Sequence, residues 1–99
     1  SARQLDKYLR EHQPQLIDVR EPWEFEICRI AGSVLIPMRQ VPDAIDQFQQ
    51  QETVVICHHG IRSLQVVRFL EYQGVEHCIN LDGGVDAWAR EIDPAMPTY

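Results

Sequence analysis

Thr53-Val54-Val55-Ile56-Cys57-His58-His59-Gly60-Ile61-Arg62-Ser63 changes character twice in a short span. Its first part, TVVIC, is apolar with little alternation, which is the pattern of a strand covered on both faces and therefore placed centrally in a sheet. The segment that follows, RSLQVVRFLEYQG, has the spacing of a helix. Leu64, Val67, Phe69 and Leu70 are expected on its buried side, with Gly74 as its stop. Only a few residues connect strand to helix, and Cys57 opens that turn.

Reading outward from this unit, strands and helices alternate. RQLDKYLREH places Leu5, Tyr8 and Leu9 on one helical face. QLIDV is a strand, and Pro22 begins a short helix carrying Trp23, Phe25 and Ile27. SVLIP is a second strand closed by Pro37, and VPDAIDQFQQ is predicted as one amphipathic helix built on Val41, Ala44, Ile45 and Phe48. After the central unit come the strand HCINL, the turn DGG, the helix VDAWAREI and a Pro-containing tail. Alternation of this kind predicts an α/β fold: a mostly parallel central sheet with helices on both faces, in one domain over residues 1–99. Ligands of such sheets bind beyond the carboxyl ends of the strands, where Asp18-Val19-Arg20, Pro37-Met38, Cys57-His58-His59-Gly60 and Asp82-Gly83-Gly84 converge.

Composition narrows the function. Fifteen acidic residues against nine Lys and Arg give a net charge of −6, without a basic run, so neither nucleic acid nor an anionic membrane is an expected partner. An anionic substrate would have to be handled by local groups. The apolar stretches are far shorter than a membrane span. Three cysteines without CxxC spacing, Cys28, Cys57 and Cys78, suggest neither a disulfide framework nor a four-ligand zinc site, and fit a reducing compartment such as the cytoplasm. The first residues, Ser-Ala-Arg-Gln, hold no apolar leader segment.

In a tight strand-to-helix turn, successive N–H groups point inward as an anion-binding nest, reinforced by the positive end of the helix. Gly60 provides the curvature, and the field favours the Cys57 thiolate, the reactive form. Arg62 in the helix's first turn opposes the macrodipole at a cost of about 0.3–1 kcal/mol, so something anionic must favour it there; a substrate or the thiolate would serve. Against this stands the ordinary role of cysteine as a small buried hydrophobe, which leaves Gly60 and Arg62 unexplained.

These residues resemble the rhodanese family of sulfurtransferases. LIDVREPWEFEICRIAGSVLIP is similar to the family's N-terminal signature, CHHGIRS to its active-site loop and INLDGGVDAW to its C-terminal signature, in the family's order from Leu16 to Trp88. One departure is Cys28-Arg29-Ile30, where the family usually has Gly-His-Ile. The tail AWAREIDPAMPTY is similar to the ends of rhodanese domains joined to adenylating proteins, which hints at an excised domain. The resemblance implies a three-layer rhodanese-like domain and a transferase of the thiosulfate sulfurtransferase type. Cys57 would take sulfane sulfur from a small donor such as thiosulfate and hold it as a persulfide, with no cofactor. It would pass the sulfur to cyanide, a thiol or a sulfur-carrier protein. By matching position the amides of His58, His59, Gly60, Ile61, Arg62 and Ser63 would form the cradle, with the Ser63 hydroxyl and the Arg62 charge assisting.

Two other readings share these residues. A rhodanese-like module could bind a partner or sense oxidants through Cys57 without turnover. A cysteine phosphatase or arsenate reductase also uses a cysteine loop, but resembling enzymes place five residues between Cys and Arg, where this chain has only His58, His59, Gly60 and Ile61. Asp18 and Arg20 are expected to support the neighbouring loops as an ion pair, and Cys28 and Cys78 to pack. His58 and His59 should diverge in direction, giving no metal site, and line the pocket mouth, where a protonated imidazole would aid donor binding at lower pH. Trp23, Phe25 and Trp88 are expected in the core or at its edge, and Gly83-Gly84 in a turn that permits close backbone approach.

Overall fold

β3 (Thr53–Ile56) is buried at every position. In the computed structural model, which describes residues 1–99, it lies between β1 (Gln15–Asp18) and β4 (Cys78–Asn80). With β2 (Val34–Leu35) at the far edge, the strand order is β2-β1-β3-β4 and every pairing is parallel. Parallel neighbours need crossovers. The crossovers and ends carry α1 (Ala2–Leu9), α2 (Pro22–Ile27), α3 (Ile45–Gln49), α4 (Ile61–Tyr72) and α5 (Gly84–Glu91).

Side chains alternate across the two central strands, which divides the core into two layers. Leu16, Val54 and Ile56 meet Leu5 of α1 and Val85, Ala87 and Trp88 of α5 on one face. Ile17, Val55 and Cys57 face the other way, toward Phe48 of α3 and Val66, Val67 and Leu70 of α4. Each fully buried Val, Leu, Ile or Phe among them contributes about 1.5–3 kcal/mol. The parallel α/β sheet with helices on both faces is the architecture expected from the alternating pattern.

Three local expectations are corrected. The segment read as one helix from Val41 divides into a 3-10 helix, Met38–Asp43, which holds Pro42, and α3, because Ala44 between them leaves helical geometry at φ −123°, ψ 21°. Val41 and Phe48 are nevertheless buried. In α4 the buried face is Ser63, Val66, Val67 and Leu70, whereas Leu64 is 37% exposed and Phe69 half-buried. The helix is rotated so that Ser63 meets the Cys57 sulfur, and residues three, four and seven positions later share its side. Trp23 is exposed at the edge of Tyr99, while Phe25 is half-buried beneath the Arg29 guanidinium; only Trp88 lies in the core. No helix is long and apolar enough to cross a membrane.

Candidate active site

The polypeptide leaves β3 at Ile56 and enters α4 at Ile61, so Cys57 to Gly60 make the whole turn. Gly60 turns it with φ +95°, in the left-handed region. Cys57 is buried and its Sγ accepts two backbone hydrogen bonds, from the N–H of Gly60 at 3.0 Å and of Ser63 at 3.3 Å. Ser63 Oγ lies 3.2 Å from the same sulfur. Of the six amides expected in the cradle, the Gly60 and Ser63 amides reach Sγ itself. Both sit at the positive end of α4, an arrangement suited to a sulfur anion.

For N–H groups to face inward, the loop's carbonyls must find partners outside, and α5 supplies them. The N–H groups of Val85 and Asp86 donate to the carbonyls of Cys57 and His58 at 2.9 and 3.0 Å. The Gly60 carbonyl accepts from Asn80 Nδ2 at 3.2 Å and from the Leu64 N–H at 3.3 Å. Gly84 permits this contact. A Cβ there would stand 2.4 Å from the carbonyl oxygens of both Cys57 and His58, on a residue with φ +58°. The expected close approach at Gly83-Gly84 is therefore an approach of α5 to the cysteine loop.

Arg62 finds its anion within the protein. Its guanidinium donates two hydrogen bonds to buried Glu24, Nη1 to Oε1 at 2.7 Å and Nη2 to Oε2 at 2.8 Å. Glu24 also caps α2 by accepting the Glu21 N–H at 3.0 Å. Arg62's hydrogen bonds hold the Glu24 carboxyl at about 2, against the opposing effect of burial. The same hydrogen bonds, with the Cys57 sulfur nearby, raise the affinity of Arg62 for its proton. The sequence-based suggestion that a substrate or the thiolate justifies Arg62 is thus corrected, since Glu24 is its direct partner.

The network continues to Asp18 and Arg20. Tyr99 donates its hydroxyl to Glu24 Oε2 at 2.7 Å and accepts from Arg20 Nη1 at 2.8 Å. Arg20, fully buried, is bidentate to Asp18, Nε to Oδ1 at 2.9 Å and Nη2 to Oδ2 at 2.7 Å, and donates to the Cys28 carbonyl at 2.6 Å. Burial opposes its charge, but Asp18 and Tyr99 outweigh burial and hold the proton more firmly than in water. Burial, assisted by Glu24, pushes the Tyr99 hydroxyl up to about 12. Asp18 and Arg20 form the expected ion pair, which ties β1 to α2 and to the C-terminal residue.

His58 and His59 do not diverge, as adjacent residues were expected to. Their ring centroids are 3.9 Å apart with planes inclined by 30°, and the Tyr99 ring stacks on His58 at 4.0 Å. Asp86 joins them, with ligand atoms of all three within 4.8 Å of one another. Two imidazoles and a carboxylate are the residues with metal-ligating chemistry here. Burial, then the neighbouring His59, lowers the affinity of His58 for a proton, so imidazolium forms there less readily than on a free histidine. An open cleft of about 290 Å³ beside the loop is lined by Val19, Glu21, Met38, Arg39 and Arg62. Exposed Ile61 begins α4.

The other cysteines lie apart from Cys57. Cys28 packs in the layer on the opposite face of the sheet. Cys78 pairs in register with Thr53, four residues from Cys57 along the strand direction, or about 13 Å at strand rise. Burial raises the Cys78 thiol.

Sequence reasoning missed Glu24, Asn80 and Tyr99. Glu24 had a signal: a helix-start Arg that needs an anion, and Glu21-Pro22-Trp23-Glu24 at capping-box spacing. Asn80 and Tyr99 had none, because their partners are far away in the sequence.

Comparison with known proteins bears on the family and the fold. The model of the Rhodanese-like domain family matches residues 1–91. The chain is 40% identical over 92 residues to the Rhodanese-like/PpiC domain-containing protein 12, chloroplastic, of Arabidopsis thaliana, covering 88% of the chain and 31% of the relative. It is 34% identical to the adenylyltransferase and sulfurtransferase uba4 of Ogataea parapolymorpha, covering 87% of the chain and 23% of the relative. With the thiosulfate sulfurtransferase GlpE of Vibrio cholerae the identity is 29%, over 83% of the chain and 78% of the relative. The chain thus spans less than a third of the first two relatives. The crystal structure of a rhodanese-like domain protein from Staphylococcus aureus superposes with a TM-score of 0.80 at 35% identity, over 88% of this chain and 86% of that one.

Proposed function

This chain belongs to the rhodanese-like domain family, and from that premise we propose that it is a sulfurtransferase that carries sulfane sulfur on Cys57. The observation that supports the reading is the buried Cys57 Sγ accepting hydrogen bonds from the Gly60 and Ser63 amides while α5 draws the loop's carbonyls outward. In the proposed cycle the Cys57 thiolate attacks the outer sulfur of thiosulfate. The S–S bond of the donor breaks, sulfite leaves with the bonding pair, and Cys57 is left as a persulfide anion. Attack of cyanide on the outer sulfur releases thiocyanate and restores the thiolate. A thiol or sulfur-carrier protein would replace cyanide by the same displacement. The two amides that hold the thiolate would hold the persulfide charge, so covalent capture divides the transfer into two easier steps.

Arg62 contributes less free charge than an unpaired cation, since Glu24 takes two of its hydrogen bonds. The short loop, with four residues between Cys57 and Arg62, suits one sulfur atom better than a tetrahedral phosphate.

The test is intact-protein mass spectrometry after incubation with thiosulfate, with peptide mapping and a cyanide chase. Gain of one sulfur atom on the Cys57 peptide, lost to cyanide as thiocyanate, is expected. Cys57→Ser should fold but take up no sulfur, whereas Cys28→Ser and Cys78→Ser should retain uptake. Absence of uptake from both thiosulfate and a persulfide donor would overturn the reading and leave a partner-binding or oxidant-sensing module.

A further inference from the structure

Cys57 Sγ has three polar neighbours, and they do not all favour the same protonation state. The amides of Gly60 and Ser63 can only donate, which favours a thiolate. The third neighbour, Ser63 Oγ at 3.2 Å, has one hydrogen, and its direction is decided elsewhere.

Asn80, the last residue of β4, decides it. Its Nδ2 lies 3.2 Å from the Gly60 carbonyl oxygen and 2.9 Å from Asp82 Oδ1. Both partners only accept, so the amide must present NH₂ to them and its Oδ1 to the opposite side. There Oδ1 accepts the Ser63 hydroxyl proton in a short hydrogen bond. With that proton committed to Asn80, Ser63 Oγ turns only lone pairs toward Cys57. It can accept from a thiol S–H but repels a thiolate. Ser63 is fully buried, so no solvent is at hand to replace the missing donor.

We propose that Asn80 is a positioning residue that restrains ionisation of Cys57 by holding the Ser63 hydroxyl away from the sulfur. The hydroxyl turns from Asn80 to Cys57 once the sulfur carries negative charge. This inference rests on the reading of Cys57 as the reacting thiol, but not on sulfur transfer. The two amides draw the sulfur toward the anion, Asn80 opposes them through Ser63, and the loop keeps one further donor in reserve for the charged form. Asn80 also fixes the Gly60 carbonyl, so the same side chain holds the turn that places both amides.

The experiment is the pH dependence of iodoacetamide alkylation at Cys57, read on its own peptide in the folded chain, with circular dichroism to verify folding. Asn80→Ala frees the hydroxyl to donate to the sulfur, and the alkylation midpoint is expected to fall by about half to one pH unit, the effect of one hydrogen bond. In a Ser63→Ala background the same substitution should not lower the midpoint, since only the contact with the Gly60 carbonyl is then lost. Asn80→Asp keeps an acceptor for Ser63 and adds negative charge, so its midpoint should rise. It also provides a second test if Asn80→Ala does not fold. An unchanged or raised midpoint in folded Asn80→Ala, an equal fall with and without Ser63, or a lowered midpoint in Asn80→Asp would overturn the proposal. Alkylation is independent of any sulfur donor. A chain that shows the expected midpoints but takes up sulfur from neither thiosulfate nor a persulfide donor would retain this inference and lose the sulfurtransferase reading.

Discussion

Glu24→Gln removes the charge from the ion pair that anchors the start of α4. It also puts an NH₂ in place of one of two oxygens that accept from Glu21 and Tyr99 as well. The substitution keeps the side chain's shape while removing the charge that Arg62 holds at 2.7 and 2.8 Å. A carboxyl brought from 4.5 to about 2 sets an upper bound of about 3 kcal/mol on the pair's contribution at neutral pH. Arg62 is 36% exposed, so water screens that side of the interaction and supports the guanidinium once Glu24 is neutral. The expected loss is therefore about 1–2 kcal/mol, or a Tm lower by about 5–15 °C for a chain of this size.

The pH dependence gives that number a second check. Because the folded carboxyl titrates below the unfolded one, the pair's contribution is present in full above about 4.5 and is lost as the pH falls toward about 2. Urea unfolding of both chains, followed by the fluorescence of buried Trp88, should show the stability gap at pH 7 shrinking by about half at pH 3. A gap under about 0.3 kcal/mol at pH 7, or one equally large at pH 3, would refute the assignment of Glu24 as an ionised partner of Arg62.

Other substitutions test the frame around the site. Gly84→Ala should destabilise by about 2 kcal/mol or more and slow alkylation of Cys57, since its Cβ meets backbone oxygens at 2.4 Å; a thermal melt like that of the parent would show that α5 yields easily. Leu70→Ala should cost about 2–5 kcal/mol in urea unfolding and Leu64→Ala less than about 1, because Leu70 is fully buried and Leu64 is 37% exposed; equal costs would contradict the rotated face of α4. Tyr99 has a folded hydroxyl value, about 12, above its unfolded one of 10, so its stabilising effect is complete below 10 and lost between 10 and 12. The stability difference between parent and Tyr99→Phe should shrink across that window, and curves that remain parallel would remove Tyr99 from the network.

What was legible in the sequence was local or periodic. The unbroken apolar run of β3 showed that both its faces are covered, and alternation of strands and helices forced crossovers and a parallel sheet. Gly60 marked the turn at Cys57 because only a local backbone property was at issue. The helix-start Arg62 announced an anion but not which one, since the macrodipole argument contains no information about other segments.

The remainder depended on contacts between distant parts of the chain. Periodicity identified α4 but put Leu64 and Phe69 on its buried side, whereas the meeting of Ser63 with Cys57 turned Leu64 outward. Ala44, with its non-helical backbone, divided a pattern that hydrophobic spacing alone reads as continuous. Glu24, Tyr99 and Asn80 reach Arg62, Arg20 and Ser63 across separations of 38, 79 and 17 residues. The sequence by itself determined the sheet, its crossovers and the position of the cysteine turn, because backbone propensity and burial are read from neighbouring residues. Tertiary structure alone decided which charges pair and which hydroxyl faces the sulfur, because hydrogen bonds and ion pairs depend on ångström distances that only the packed chain supplies.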